Sequence, residues 1–166
     1  EWKESHKNDE KFPDYYLETL VILKKITESL ASSNTFLIHG SSFYIDSTNN
    51  AFLITAPSGI GKSTHTKLLK QYLKDRLHYI NDDKPFISKE GGSYYLYGSP
   101  WNGKEQLSTN IKANLKAIFV ISRGITNKVN KLEGKTAIDY LIKQLHIPDG
   151  ELNSIKGLEF LLTLLK

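Results

Sequence analysis

Residues 51–64 read AFLITAPSGIGKST, and this stretch decides the expected fold. The apolar run at 51–55 has the length and composition of a buried β-strand, and Ser63 to Lys74 repeats apolar residues at helical spacing. A glycine-rich turn joins them, which is the arrangement that turns successive backbone N–H groups towards a phosphate at a helix N-terminus. The stretch therefore predicts a phosphate-binding loop between a strand and a helix.

The loop follows most of the pattern G-x-x-x-x-G-K-[ST]. Lys62 is expected to reach the outer phosphates of a nucleotide, and the Ser63 hydroxyl is expected to contact Mg²⁺. Ala56 replaces the first glycine of the pattern, so it must have an ordinary negative φ. The loop predicts ATP binding, with GTP less favoured, and the alternative is a glycine-rich turn without a ligand. The candidate nucleotide-binding residues are Pro57, Ser58, Gly59, Ile60, Gly61, Lys62, Ser63 and Thr64.

An acidic pair, Asp82 and Asp83, follows the next predicted strand at 78–80. Strand, helix and strand form a βαβ unit, whose parallel strands end at the same edge of a sheet, so we expect the pair beside the phosphate loop. Phosphoryl transfer uses one carboxylate to hold Mg²⁺ and another to face the acceptor hydroxyl. The alternative is a turn leading into Pro85, since Asn and Asp favour turns.

The rest of the chain predicts one α/β domain with a mixed sheet flanked by helices. An apolar stripe at helical spacing predicts a helix at about 14–31, a nucleotide-binding core spans about 35–123, and a helical part covers about 135–166, with helices at 136–145 and after Glu151. Short strands are expected at 35–39, 43–45, 86–88, 94–97 and 116–122, with a turn at 47–50, a hairpin turn at 91–92, and a polar leader at 1–11.

Composition excludes several classes of protein. The 166 residues are 39% hydrophobic and include no cysteine, which excludes disorder, a disulfide scaffold and thiol chemistry. The net charge of +4 is scattered, so no nucleic-acid partner is expected. The apolar runs are too short to span a bilayer and the start is polar, so we expect a cytoplasmic protein without a membrane partner. Because the chain starts at Glu1 and has no methionine, we expect a fragment, a processed form or an incomplete sequence.

Four further residues are candidates for function. His39 ends a predicted strand, where a histidine serves either catalysis or structural hydrogen bonding. Trp101 and Lys104 lie in a loop rich in turn residues, either as substrate contacts or as a packed surface turn. Arg123 follows a buried strand and either supplies a cation to the transition state or ends the strand. The spacing of the histidines predicts no zinc site.

The order of these motifs between Phe36 and Arg123 resembles the catalytic core of the HPr kinase/phosphorylase family, which has a phosphoenolpyruvate-carboxykinase-like nucleotide-binding fold. The resemblance is closest to small stand-alone relatives with a loop like Tyr97–Lys104. It implies Mg²⁺-dependent transfer of the ATP γ-phosphoryl group to a hydroxyl. It also implies that His39 orients a catalytic carboxylate, Asp82, while Asp83 contacts the metal. The sequence leaves open the reverse assignment of these two roles.

The sequence also departs from that family. The Glu-Ile-Arg-Gly signature of HPr kinases has no equivalent at 97–104, and their arginine-bearing C-terminal segment is unmatched, so neither HPr as acceptor nor the phosphorylase back-reaction is predicted. The expected function is a kinase acting on a hydroxyl of a protein, peptide or small molecule. The alternatives are a regulatory nucleotide-binding module without transfer activity and, ranked last, nucleotide hydrolysis. The acceptor and any homo-oligomer stay open.

Overall fold

The computed structural model describes residues 12–46 and 50–166, so the predicted leader at 1–11 and most of the predicted turn at 47–50 lie outside the described residues. The described helices are α1 (Asp14–Ala31), α2 (Lys62–Leu73), α3 (Gly134–Leu141) and α4 (Glu151–Leu164), with a 3₁₀ turn at Lys74–Arg76. The described strands are β1 (Thr35–Ile38), β2 (Ser41–Ile45), β3 (Asn50–Thr55), β4 (Leu77–Asn81), β5 (Phe86–Glu90), β6 (Ser93–Tyr97), β7 (Lys112–Val120) and β8 (Leu145–His146).

The strands form one mixed sheet in the order β4-β2-β3-β7-β6-β5-β1-β8. Only the β3 and β7 neighbours are parallel among the pairings of the described strands. The predicted α/β class with a mixed, helix-flanked sheet is therefore confirmed. The hairpin at Gly91 and Gly92 is also confirmed, and both residues have the positive φ that a tight turn between right-twisted strands requires.

Two long antiparallel stretches cross the sheet, and both are interrupted at the same level. β1 continues into β2 after only His39 and Gly40, and β4 continues into β5 after residues 82–85. β1 pairs with β5 and β2 pairs with β4, so the two interruptions face each other. The Gly40 amide donates to the Asp83 carbonyl (2.9 Å) across this gap. Irregular backbone and the polar side chains of His39, Asp82, Asp83 and Lys84 are thus collected where the two stretches are interrupted.

The predicted βαβ unit is present in a modified form. β2 lies between β3 and β4 and is antiparallel to both, so β3 and β4 run in the same direction without being neighbours. Their carboxyl ends therefore reach the same edge of the sheet, together with the end of β7, which is parallel to β3. This edge carries the glycine-rich loop, the acidic pair and Arg123.

Helices cover both faces of the sheet. Along β3, Ala51 and Leu53 belong to the apolar cluster that includes residues of α1, α3 and α4, whereas Phe52 and Ile54 belong to a second cluster that includes α2. This alternation is the two-residue period of a strand that is buried on both faces. Within the described ranges, no helix combines the length and the apolarity needed to cross a membrane.

The C-terminal part requires one correction. The helix predicted at 136–145 ends at Leu141, and Leu145 and His146 form β8 on the edge of β1. Leu145 is buried in the main apolar cluster, and His146 pairs with Leu37. Strand pairing and burial at a sheet edge therefore outweigh the helical spacing of the local sequence.

Gly98 is a position where a side chain does not fit. A Cβ atom there would overlap the Thr109 carbonyl oxygen and lie 3.0 Å from the Ile80 carbonyl oxygen. Both are main-chain atoms. The Thr109 amide donates a hydrogen bond to the same Ile80 carbonyl (3.0 Å), which holds the two segments in place. We expect Gly98→Ala to lower the free energy of unfolding by about 3 kcal/mol, measured by urea denaturation. Gly124→Ala is the control, because its Cβ would meet only the Thr126 carbonyl at 3.3 Å. Equal unfolding midpoints for the two variants would contradict the expectation.

Candidate functional site

The glycine-rich loop has the backbone that the motif requires. Gly59 and Gly61 have φ values of 78° and 118°, which disfavour any residue with a side chain. Ala56 is buried and is not among the residues with positive φ, as its place in the pattern demands. α2 begins at Lys62 with Gly61 as its N-cap. The loop therefore leads directly into a helix N-terminus, where unpaired N–H groups favour an anion.

Lys62 lies inside the loop with only 8% of its surface exposed. Its Nζ donates a hydrogen bond to the Ala56 carbonyl (2.9 Å). Burial lowers the pKa of Lys62, and the negative charge of Asp83 opposes that shift. The loop lysine and the acidic pair, which are 20 residues apart in sequence, therefore act on each other electrostatically.

The other loop residues leave a surface open to a ligand. The exposed residues of the loop are Pro57, Ser58, Gly59, Ser63 and Thr64, and the half-buried ones are Ile60 and Gly61. Arg123, which follows β7, donates from Nη2 to the Gly59 carbonyl (3.1 Å). The structure thus brings this predicted substrate residue to the glycine-rich loop.

Asp83 is held by two side chains, those of His39 and Lys84. Its Oδ1 lies 3.4 Å from His39 Nε2, and its Oδ2 lies 2.6 Å from Lys84 Nζ. The contacts with His39 and then with Lys84 hold the pKa of Asp83 far below its usual range, although partial burial opposes them. His39 Nδ1 in turn lies 3.1 Å from Gln144 Oε1, which fixes the ring from its other side. Asp83 is therefore an oriented carboxylate whose ionised form these contacts favour.

Asp82 has a different environment. It is 5% exposed, and its Oδ1 accepts a hydrogen bond from the Gly103 amide (2.7 Å). Among the described residues, no Lys, Arg or His lies within ion-pair distance of it. A Cβ atom on Gly103 would lie 3.1 Å from Asp82 Oδ2, so glycine allows this close approach. Buried carboxylates are normally paired with a cation or bound to a metal, and within residues 12–46 and 50–166 no side chain provides a cation for Asp82.

The contact of His39 differs from the one that the sequence analysis expected. His39 was assigned to Asp82, whereas the structure places its ring against Asp83. The reason is the register of the two interrupted strands, because the Gly40 amide is bonded to the Asp83 carbonyl. The geometry therefore favours the reverse order of the two aspartates, an order that the sequence left open.

Asn81 fixes the loop that contains Trp101, and sequence reasoning missed it. Asn81 is fully buried, and its Nδ2 lies 3.0 Å from the Ser99 carbonyl and 3.3 Å from Asn102 Oδ1. Its Oδ1 accepts from the backbone amides of Asp83 and Lys84 (2.8 and 2.6 Å). Asn81 therefore joins the acidic pair to the loop. Its signal in the sequence is a polar residue at the end of a buried strand.

The two predicted substrate residues of this loop are placed differently. Trp101 is half-buried and faces the region between the loop and α1. Lys104 is exposed and makes no ion pair with a residue that the structure describes. The structure thus associates Trp101 with the acidic pair through Asn81, and it does not associate Lys104 with it. Lys84 and Gly103, which were not candidates, both contact the acidic pair.

The oxygen atoms at this edge suit Mg²⁺. Mg²⁺ is usually held by one or two carboxylates, with phosphate oxygens and water completing its coordination. Asp82 supplies a buried carboxylate without a protein cation, and Ser63 supplies an exposed hydroxyl in the first turn of α2. In the described part of the chain, no group of three or more His, Cys, Asp or Glu side chains is placed to hold a metal ion.

Comparison with known proteins leaves the site as the basis for assigning a function. The sequence matches no model of a known protein family, and no characterised protein is significantly similar to it. The resemblance to HPr kinases therefore rests on the motif residues themselves, His39, the glycine-rich loop and the acidic pair.

Proposed function

We propose that this protein is a Mg²⁺- and ATP-dependent kinase of the HPr-kinase-like type. It transfers the γ-phosphoryl group to a hydroxyl of a protein, a peptide or a small molecule. The observation that carries this proposal is that β3 and β4 end at the same edge of the sheet, so the glycine-rich loop with Lys62 and the acidic pair with Asp83 share that edge. A phosphate-binding lysine and an oriented carboxylate are the two protein parts that phosphoryl transfer needs side by side.

The glycine-rich loop binds the nucleotide in this proposal. The N-terminal amides of α2 and the ammonium of Lys62 attract the phosphates. Lys62 then replaces its hydrogen bond to the Ala56 carbonyl with stronger hydrogen bonds to charged phosphate oxygens. Arg123 holds the Gly59 carbonyl and so stabilises the loop on its other side. Bound Mg²⁺ would neutralise charge on the β- and γ-phosphates, and Asp82 and Ser63 are the residues placed to hold it.

Asp83 faces the acceptor. The acceptor oxygen forms a bond to the γ-phosphorus, the bond between that phosphorus and the bridging oxygen breaks, and its electron pair leaves with ADP. The hydroxyl proton passes to the Asp83 carboxylate, which His39 orients. Asp83 is a weak base because its pKa is low. In a loose transition state the hydroxyl loses its proton late, so Asp83 first orients the hydroxyl and accepts its proton as transfer is completed.

Transfer of labelled phosphate tests the proposal. The chain is incubated with Mg²⁺ and a serine-containing peptide library, using ATP labelled either at the γ- or at the α-phosphate. We expect label to enter peptides or an added small alcohol from γ-labelled ATP only. ATP binding without transfer to any acceptor would instead support a regulatory nucleotide-binding module. Absence of ATP binding would refute both functions.

A further inference from the structure

A groove of about 460 Å³ runs between α1 and the loop at 99–103. Its α1 wall includes Tyr16, Leu20 and Leu23, which share one face of the helix because they are four and three residues apart. Trp101 and Asn102 form part of the opposite wall. The buried residues of α1, Thr27 and Ala31, lie in its second half, so the first half of the helix leaves this apolar face turned towards the loop.

The groove is continuous with the candidate catalytic residues. Lys84 lines it, and the ammonium of the same side chain lies 2.6 Å from Asp83 Oδ2. The loop wall is fixed to the acidic pair as well, because Asn102 contacts Asn81 and the neighbouring Gly103 amide binds Asp82. A molecule in the groove therefore lies next to the carboxylate that faces the acceptor hydroxyl.

The side chains that line the groove indicate which kind of group binds there. Lys84 is the one charged side chain among the described residues that line the groove, and Asp83 already neutralises it. No charge is left to hold an anionic metabolite, whereas the aliphatic and aromatic walls favour an apolar group. The side chain of Lys84 alone spans the interval from the groove to Asp83. An extended peptide advances about 3.4 Å per residue, so we expect a side chain in the groove and a hydroxyl at Asp83 to belong to residues one or two positions apart.

We infer that the groove binds an apolar side chain of a peptide acceptor, one or two residues from the serine or threonine that is phosphorylated. This inference rests on the proposed kinase function and adds the class of acceptor to it. Leu20, Leu23 and Trp101 determine the preference, and Asp83 orients the hydroxyl.

Peptide phosphorylation by the wild-type chain tests the inference without any variant. The probes are peptides with one central serine in an alanine background, in which a single flanking position carries Leu, Phe, Asp, Lys or Ala. We expect Leu or Phe within two positions of the serine to raise kcat/KM by about tenfold to a hundredfold over Ala. Equal rates, or a preference for Asp or Lys, would overturn the inference.

Variants of α1 assign the preference to the groove. Leu20→Asn is expected to abolish the gain from Leu or Phe, mainly through KM, and to leave Mg·ATP affinity unchanged. Val21→Asn is the matched control, because Val21 is 52% exposed on the neighbouring face and does not line the groove. A preference that persists in Leu20→Asn would overturn the inference. Binding of Mg·ATP with transfer only to a small alcohol, or to nothing, would also overturn it, whereas failure to bind Mg·ATP would refute the kinase itself.

Discussion

Asp83→Asn is expected to lower the rate of phosphoryl transfer by about a hundredfold to ten-thousandfold, the range usual for loss of a group that takes the proton. The amide cannot accept the hydroxyl proton, and it also removes the charge that holds His39 and Lys84 in place. Binding of Mg·ATP is expected to persist, because the glycine-rich loop and Asp82 are unchanged. Single-turnover transfer from γ-labelled ATP, together with calorimetric titration of Mg·ATP, measures the two effects separately.

Asp82→Asn is the matched comparison for that experiment. An asparagine Oδ1 can still accept the hydrogen bond from the Gly103 amide, so the fold of the loop is retained and only the charge is lost. We expect this variant to need more Mg²⁺ for half-maximal transfer and to recover rate when Mg²⁺ is raised. The opposite pattern, in which Asp82→Asn is inactive at every Mg²⁺ concentration and Asp83→Asn is active, would restore the order of the two aspartates that the sequence suggested.

Lys62→Met is expected to weaken Mg·ATP binding by about tenfold to a hundredfold, the effect of losing a hydrogen bond from a charged group. Methionine has a similar length and is apolar, so it fits the space in which Lys62 is 8% exposed. The loop then keeps its backbone while it loses its buried cation. Calorimetric titration of Mg·ATP into the variant and the wild type measures the difference.

Lys67→Met is the control for that substitution. Lys67 lies on the exposed side of α2 and is paired with Glu105 (2.7 Å) rather than with the loop. Its loss removes the same charge from the same helix but leaves the proposed phosphate site intact, so affinity for Mg·ATP is expected to change little. Equal losses of affinity in the two variants would show that net charge, not the loop lysine, determines binding.

Local sequence was sufficient to predict the glycine-rich loop. The apolar strand before it and the helical spacing after it are both short-range signals, and the torsions of Gly59 and Gly61 follow from the loop itself. The mixed sheet was predictable from the hairpin at Gly91 and Gly92 together with the buried strands. The nearness of Asp82 and Asp83 to the loop was also expected, because the carboxyl ends of parallel strands meet at one edge.

Long-range pairing was not predictable in the same way. No local signal indicates that β2 separates β3 from β4 in the sheet. No local signal indicates either that β1 pairs with β5 while β2 pairs with β4, which brings the two interruptions opposite each other. The contact of His39 with Asp83 depends on that register, so the sequence assigned it to the neighbouring aspartate. The helix predicted at 136–145 ended early for a related reason, since Leu145 is buried at the edge of β1.

The central claim is that the glycine-rich loop and the acidic pair form one binding site for Mg·ATP. Calorimetric titration of the wild-type chain with ATP, in the presence and absence of Mg²⁺, tests it most directly. The proposed site predicts one nucleotide per chain, with Mg²⁺ increasing the affinity. Absence of ATP binding at millimolar nucleotide in the presence of Mg²⁺ would contradict the claim.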